Sequence, residues 1–162
     1  MSLNQETVAG DCMVRLVQSK SDMQNFKKLP RQLYARDPFA ILPLSTLQDF
    51  VLDRERHPFY DHGRGASAEF FLATDTATGR PVGRIAAIID HRHNQLAKQH
   101  DPHHELCGHF GFFDCENSQQ VAKKLIHAAA DWLRSKGVRQ MLGPASPSQS
   151  YDFGLLIEGH DP

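Results

Sequence analysis

The feature that most constrains this chain is the run from His109 to Lys136, where a strand-like segment passes almost directly into an amphipathic helix. His109 to Asp114 is dense in Phe and reads as a strand. From Ser118 to Lys136, Val121, Leu125, Ala128 or Ala129, and Trp132 form one stripe, with Ala122, Ile126 and Leu133 beside it. A stripe that wide must pack on a sheet, and Trp132 is expected in the core. Asn117 with Gln120 predicts the helix start; Arg134 and Lys136 suit the negative end of its dipole, and Gly137 supplies a left-handed C-terminal residue. Val138 to Leu142 then has the content of a strand. A strand, helix and strand in one sheet almost always make a right-handed parallel crossover.

Upstream, Met13 to Val17 reads as a first strand. Ser21 with Gln24 predicts a capped helix carrying Met23, Phe26, Leu29 and Leu33, which Pro30 should kink or restart. Ser45 with Gln48 predicts a second, short helix bearing Leu47, Phe50 and Val51. Asp61 to Ser67 reads as a loop. Glu69 to Thr74 and Val82 to Ile89 form a hairpin across the turn at Gly79, and Asp90 to Glu105 is a polar loop or short helix. The fold class is therefore α/β, with an antiparallel meander followed by one parallel step. Gly143 to Pro162 is an irregular, Pro-, Ser- and Gly-rich segment enclosing Leu155 to Ile157.

The length of 162 residues fits a single domain that buries roughly 70% of its unfolded surface, without a metal or disulfide staple. Lys plus Arg number 18 and Asp plus Glu 19, so the net charge of -1 offers no global attraction to nucleic acid or to a membrane. Cys12, Cys107 and Cys115 show no disulfide spacing, and the longest apolar stretch, Ile85 to Ile89, is far too short to span a bilayer. A cytoplasmic location is the expectation.

The motifs Leu33-Tyr34, Asp37-Pro38, His57-Pro58-Phe59, Val82 to Asp90 and Phe110-Gly111-Phe112-Phe113-Asp114 carry a family resemblance. Gly143-Pro144, Gly154-Leu155-Leu156 and Glu158-Gly159 extend it. Together with the element order, they resemble the first part of the GNAT N-acyltransferase superfamily, and a divergent bacterial GNAT-like group of unassigned role within it. The resemblance implies acyl-CoA or acetyl-CoA as cosubstrate, held where the fourth and fifth strands splay, and a primary amine as acceptor attacking the thioester directly. It places phosphate recognition at Asp114 to Gln120, with Lys123 and Lys124 close by, and the acyl carbonyl at the backbone of Phe112 and Phe113. Phe112, Phe113, Asp114, Asn117, Ser118, Gln119, Gln120 and Lys123 are thus the candidate cofactor residues. The superfamily continues with a further helix and strands, so the chain is expected to be a domain truncated at its C-terminus.

Exposed amides and the positive dipole end at Ser118 to Gln120 suit a phosphate. The superfamily's loop there is rich in glycine, whereas Asp114-Cys115-Glu116-Asn117-Ser118-Gln119-Gln120 has none and carries two carboxylates. That departure supports a second reading, a catalytically inert GNAT-like binding or assembly module.

Asp114 and Glu116 are candidate catalytic bases, set against simple strand-end and helix-start roles. Arg84, an isolated charge in an apolar strand, either holds a carboxylate or phosphate or points outward. With Ser146, Ser148 and Asp152 it makes the candidate substrate mouth. Cys115 stands before a helix start, where the dipole can lower a thiol pKa, but no motif supplies a base for it. His91, His93, His100, His103, His104, Cys107 and His109 include good metal ligands, with His91 and His93 on one face if extended. Their spacing fits no established zinc motif, so no metal is expected. An open fifth-strand edge points to a homodimer.

Overall fold

The computed structural model describes residues 11–61 and 65–155. Their elements are β1 (Cys12–Leu16), α1 (Lys20–Leu33), α2 (Ser45–Val51), a 3-10 turn at Pro58–Tyr60, β2 (Ala66–Asp75), β3 (Pro81–Asp90), α3 (His91–His100), β4 (Cys107–Cys115), α4 (Gln119–Ser135), β5 (Gln140–Leu142), β6 (Ala145–Ser146) and β7 (Asp152–Phe153). The main sheet has the order β1-β2-β3-β4-β5. Its first three pairings are antiparallel and β4–β5 is parallel, as the meander and crossover pattern implies.

Both faces of the central strands are covered, which explains the unbroken apolar run of β3. Ile85, Ala87 and Ile89 face α4, whose Val121, Leu125, Ala129 and Leu133 are essentially inaccessible. Ala86 and Ile88 turn to the other face, where Phe70 and Leu72 meet Phe26 of α1, Leu52 and Tyr60. Each large side chain so buried is worth about 1.5–3 kcal/mol. Gly137 takes φ 81 just after α4, ending the helix as its sequence indicates.

Several sequence expectations are corrected. Ser19, not Ser21, caps α1: its hydroxyl accepts from Asp22 N–H at 3.0 Å, and the Asp22 carboxylate reaches back to Ser19 N–H at 3.1 Å. Asp22 also takes Arg15 at 2.5 Å, a cross-element partner that favours this earlier box over Ser21-Gln24. α1 continues through Pro30 rather than restarting. Ser45 is the first helical residue of α2, capped by Leu44 without a side-chain bond. Ser118 rather than Asn117 caps α4 through Val121 N–H.

Trp132 is only partly buried, and Leu133 takes the core position, because the face that meets the sheet is rotated toward Leu133. α3 occupies the polar stretch after β3, so His91 and His93 lie two apart on a helix and point to different faces. The segment from Gly143 is not wholly irregular, since β6 and β7 pair Ala145 with Phe153 and Ser146 with Asp152. The extensions of the family motif at Leu156, Glu158 and Gly159, and the end of the apolar run at Ile157, lie outside the described residues.

Candidate functional site

β4 changes register halfway along. Arg84 pairs with Asp114 but Ala86 pairs with Gly111, so Phe112 and Phe113 together stand opposite Ile85. That is a β-bulge, and within it Phe112 adopts φ 48, a conformation that non-glycine residues rarely hold. The side chains of the two phenylalanines leave on opposite faces: Phe112 packs near Phe26 and Phe70, Phe113 near Phe110. The β4–β5 pairing ends at His109 and Leu142, and β6 lies against the bulge in place of β5. Phe112 N–H donates to Ser146 Oγ at 2.8 Å. Gly111 permits this approach, because a Cβ there would sit 1.9 Å from Ala145 O.

Arg84 does not point outward, and the carboxylate it holds is the protein's own Asp114. Arg84 is buried, donates from Nε to Asp114 Oδ2 at 2.8 Å and lies over the Phe26 ring. Its Nη1 donates to Phe26 O at 2.8 Å. In a regular helix that carbonyl would accept from the residue four places on, which is Pro30 and has no N–H. The guanidinium thus supplies the donor that Pro30 lacks, which lets α1 run on. Burial works against the charge of Arg84, and Asp114 supports it. The other oxygen of Asp114 accepts from Tyr34 Oη at 2.9 Å, so Asp114 is tied at both oxygens and holds α1, β3 and β4 together. Tyr34 is shifted well above the usual phenol range, first by burial and then by Asp114.

Beyond Asp114 the surface opens into a groove of about 1210 Å³. Leu29, Leu33 and Tyr34 form its apolar wall, and Asn117, Ser118 and Gln119 at the start of α4 form its floor. Arg36 and Arg80 stand on its rim, neither marked by any periodicity or motif. Arg80 is ion-paired with Glu116, which offsets the carboxylate that would otherwise face an anion here.

The remaining candidates divide. Gln120 and Lys123 are exposed on the first turns of α4 but do not line this groove. Lys124 points away from it, to Asp11 and Cys12 O, each at 2.6 Å. Ser148 accepts from Ser150 N–H within the loop between β6 and β7, and Asp152 is exposed on β7. Burial pushes the Cys115 thiol up, opposite to the dipole effect considered for it.

A second polar pair joins His57, part of a motif that carries the family resemblance, to Tyr151 in the loop between β6 and β7, a pairing that no spacing signals. Phe59 N–H donates to His57 Nδ1 at 3.2 Å, so the neutral ring carries its proton on Nε2, 3.0 Å from Tyr151 Oη. His57 is buried, and burial lowers its pKa. In the histidine-rich region Asn94 pins α3 to β4 through Cys107, and His109 is buried beside His93. Among the described residues no group of three or more His, Cys, Asp or Glu is placed to hold a metal ion. None of the described helices is long and apolar enough to cross a membrane.

No family model matches the chain. Its architecture does match solved structures. AAC(6')-Iy, in complex with the bisubstrate analogue CoA-S-monomethyl-acetylneamine, aligns over 87% of this chain and 84% of its own, with a TM-score of 0.51 and 19% identity. FeeM, an N-acyl amino acid synthase from uncultured soil microbes, aligns over 83% and 72%, with a TM-score of 0.53 and 13% identity. The chain has the GNAT acyltransferase fold. The bulge at Phe112 and the short β4–β5 pairing lie within a sheet of this fold. In sequence the chain is 37% identical over 156 residues to a bacterial ceramide synthase of Caulobacter vibrioides, covering 96% of this chain. It spans 38% of the length of that relative.

Proposed function

We propose that this chain carries the donor-binding part of an acyl-CoA-dependent N-acyltransferase that joins an acyl group to a primary amine. The observation that carries this reading is the groove at the N-terminus of α4, flanked by Arg36 and Arg80, which begins at Cys115, three residues along β4 from the Phe112 bulge. Helix-start amides and the Arg36 guanidinium, with Arg80 offsetting Glu116, suit the phosphates of CoA. The backbone N–H of Phe112 suits the thioester carbonyl and the negative charge that develops on it. In the resting molecule Ser146 Oγ occupies that N–H, so the acyl carbonyl would replace or share this hydroxyl.

The amine attacks the carbonyl carbon, the C–S bond breaks, and a proton passes from nitrogen to the departing sulfur. Asp114 positions the β4 backbone rather than acting as the base, because both of its oxygens are engaged. Products of the kinds named for the relatives, a ceramide and an N-acyl amino acid, are both amides, in keeping with an amine acceptor. The absence of glycine from Asp114 to Gln120 favours the second reading, a GNAT-like module without CoA chemistry.

Calorimetric titration of acetyl-CoA and long-chain acyl-CoA into the folded chain separates the two. Saturable heat that weakens at least tenfold in Arg36→Ala/Arg80→Ala supports the acyltransferase reading. No heat with any acyl-CoA favours the inert module.

A further inference from the structure

Between α1 and the end of α2 the chain forms a strap, residues 37–50, whose large apolar side chains are left uncovered. Ile41 is 98% exposed, Leu44 73% and Leu47 51%, with Phe39 and Phe50 close to half exposed. Scattered exposed apolar residues are ordinary, but five within the twelve residues from Phe39 to Phe50 mark an interaction surface.

The flank of α1 beside it is cationic. Lys20, Lys27 and Arg31 recur at the spacing of one helical face. Two contacts tie that face to the strap: Lys27 Nζ to Asp49 Oδ1 at 2.8 Å, and Arg31 Nη2 to Pro43 O at 3.4 Å. Lys28 is exposed next to it. Of the nearby carboxylates, Asp22 is engaged by Arg15 and Asp49 by Lys27, while Asp37 at the head of the strap accepts from Phe39 N–H; set against Lys20, Lys27, Lys28 and Arg31, they leave more cations than carboxylates. Although the whole chain has a net charge of -1, this flank therefore keeps a positive excess.

We propose that the strap docks the protein on an anionic lipid bilayer. Apolar side chains would enter the boundary between headgroups and acyl chains, while the flanking cations meet lipid phosphates, the pairing that interfacial binders use. A second copy is a poorer occupant, because a two-fold contact through this face would bring two cationic flanks together. Whole-chain charge gave no expectation of lipid attraction; the segregation of charge beside the strap supplies it. The strap leaves α1 just past Tyr34 and Arg36, which line the groove, so docking would set the groove beside the membrane. The inference rests on the acyl-transfer reading only in the use it suggests, the uptake of water-insoluble acyl donors or amines from a bilayer.

The test is co-sedimentation of the whole chain with phosphatidylcholine vesicles, with and without phosphatidylglycerol, at low and high salt. Binding to the anionic vesicles, weakened by salt and at least tenfold weaker in both Ile41→Glu/Leu44→Glu and Lys28→Glu/Arg31→Glu, is the expected result. Circular dichroism of the variants should match the parent, since all four side chains are exposed and Arg31 gives up only a 3.4 Å surface contact to Pro43 O, with the Lys27–Asp49 tie kept. No partition of folded protein to anionic vesicles overturns the proposal, as does partition that ignores both variants. A dimer in sedimentation that Ile41→Glu/Leu44→Glu dissociates, without vesicle binding, overturns it too, by making a second copy the occupant. Acyl-CoA titrations of the same proteins keep the two ideas apart: lost vesicle binding with retained heat confirms a separate docking surface. Vesicle binding without heat from the parent supports docking while removing the acyl-transfer reading.

Discussion

Asp114→Ala should unfold this domain far more easily than its position at a strand end suggests. The side chain removed is partly exposed, but its partner is not: the Arg84 side chain is 5% accessible and cannot replace the carboxylate with water. Arg84 is also held in place by Phe26 O, the carbonyl left without an N–H by Pro30, and so cannot swing out without stranding that group. Breaking a buried pair from one side costs about 3–5 kcal/mol. Against a domain stability of about 5–15 kcal/mol this is a large fraction. At about 2–4 °C per kcal/mol for a chain of this size, the Tm should fall by roughly 6–20 °C.

Tyr34→Phe removes one hydrogen bond to the same carboxylate from a residue that reaches solvent, and should cost about 0.5–1.5 kcal/mol. Asp114→Asn keeps the shape and loses the charge, and should fall between them. Urea unfolding of the three variants measures the series. If Asp114→Ala and Asp114→Asn both lie within about 1 kcal/mol of the parent, Asp114 does not hold α1 to the sheet. A stable but inactive Asp114→Asn would restore it as a candidate base.

Gly111→Ala must move either β4 or β6, since its Cβ would meet Ala145 O, and should lower stability by about 1–3 kcal/mol on thermal unfolding. Ser146→Ala leaves Phe112 N–H without its hydroxyl partner, and faster amide exchange at Phe112 in NMR is the expected signature. His57 and His109 have pKa values lowered by burial, so the unfolded chain binds their protons first. Their contribution to stability is complete above the unfolded histidine pKa of about 6.5 and declines as pH falls below it, so Tm should drop from pH 7 to pH 5. The drop should shrink in His57→Gln. Pairing through the open β5 edge should appear as a dimer in sedimentation at high concentration, and a monomer throughout would count against it.

What the sequence makes legible follows from periodicity. The apolar stripe of α4 and the dense strands β2 to β4 are repeated signals, and they are enough to order the sheet and locate the crossover. Periodicity does not reach the site: Phe112 and Ser118 are candidates through the family resemblance alone. Single contacts between distant elements leave no such repeat. Nothing in the sequence pairs Pro30 with Arg84, His57 with Tyr151, or Ser146 with Phe112, and each depends on how the sheet packs. Arg36 and Arg80 reach the groove for the same reason. Ser21-Gln24 looks as good a capping box as Ser19-Asp22, and a cross-element partner, Arg15, distinguishes them.

The central claim is that acyl-CoA lies along the Phe112 bulge and the start of α4. Its most direct test is NMR of the isotope-labelled chain titrated with acyl-CoA, following each backbone amide. The expected result is a set of saturable shifts concentrated at Phe112 to Gln119, with Arg36 and Arg80 included. A folded chain whose amides do not respond, or respond only elsewhere, would contradict it.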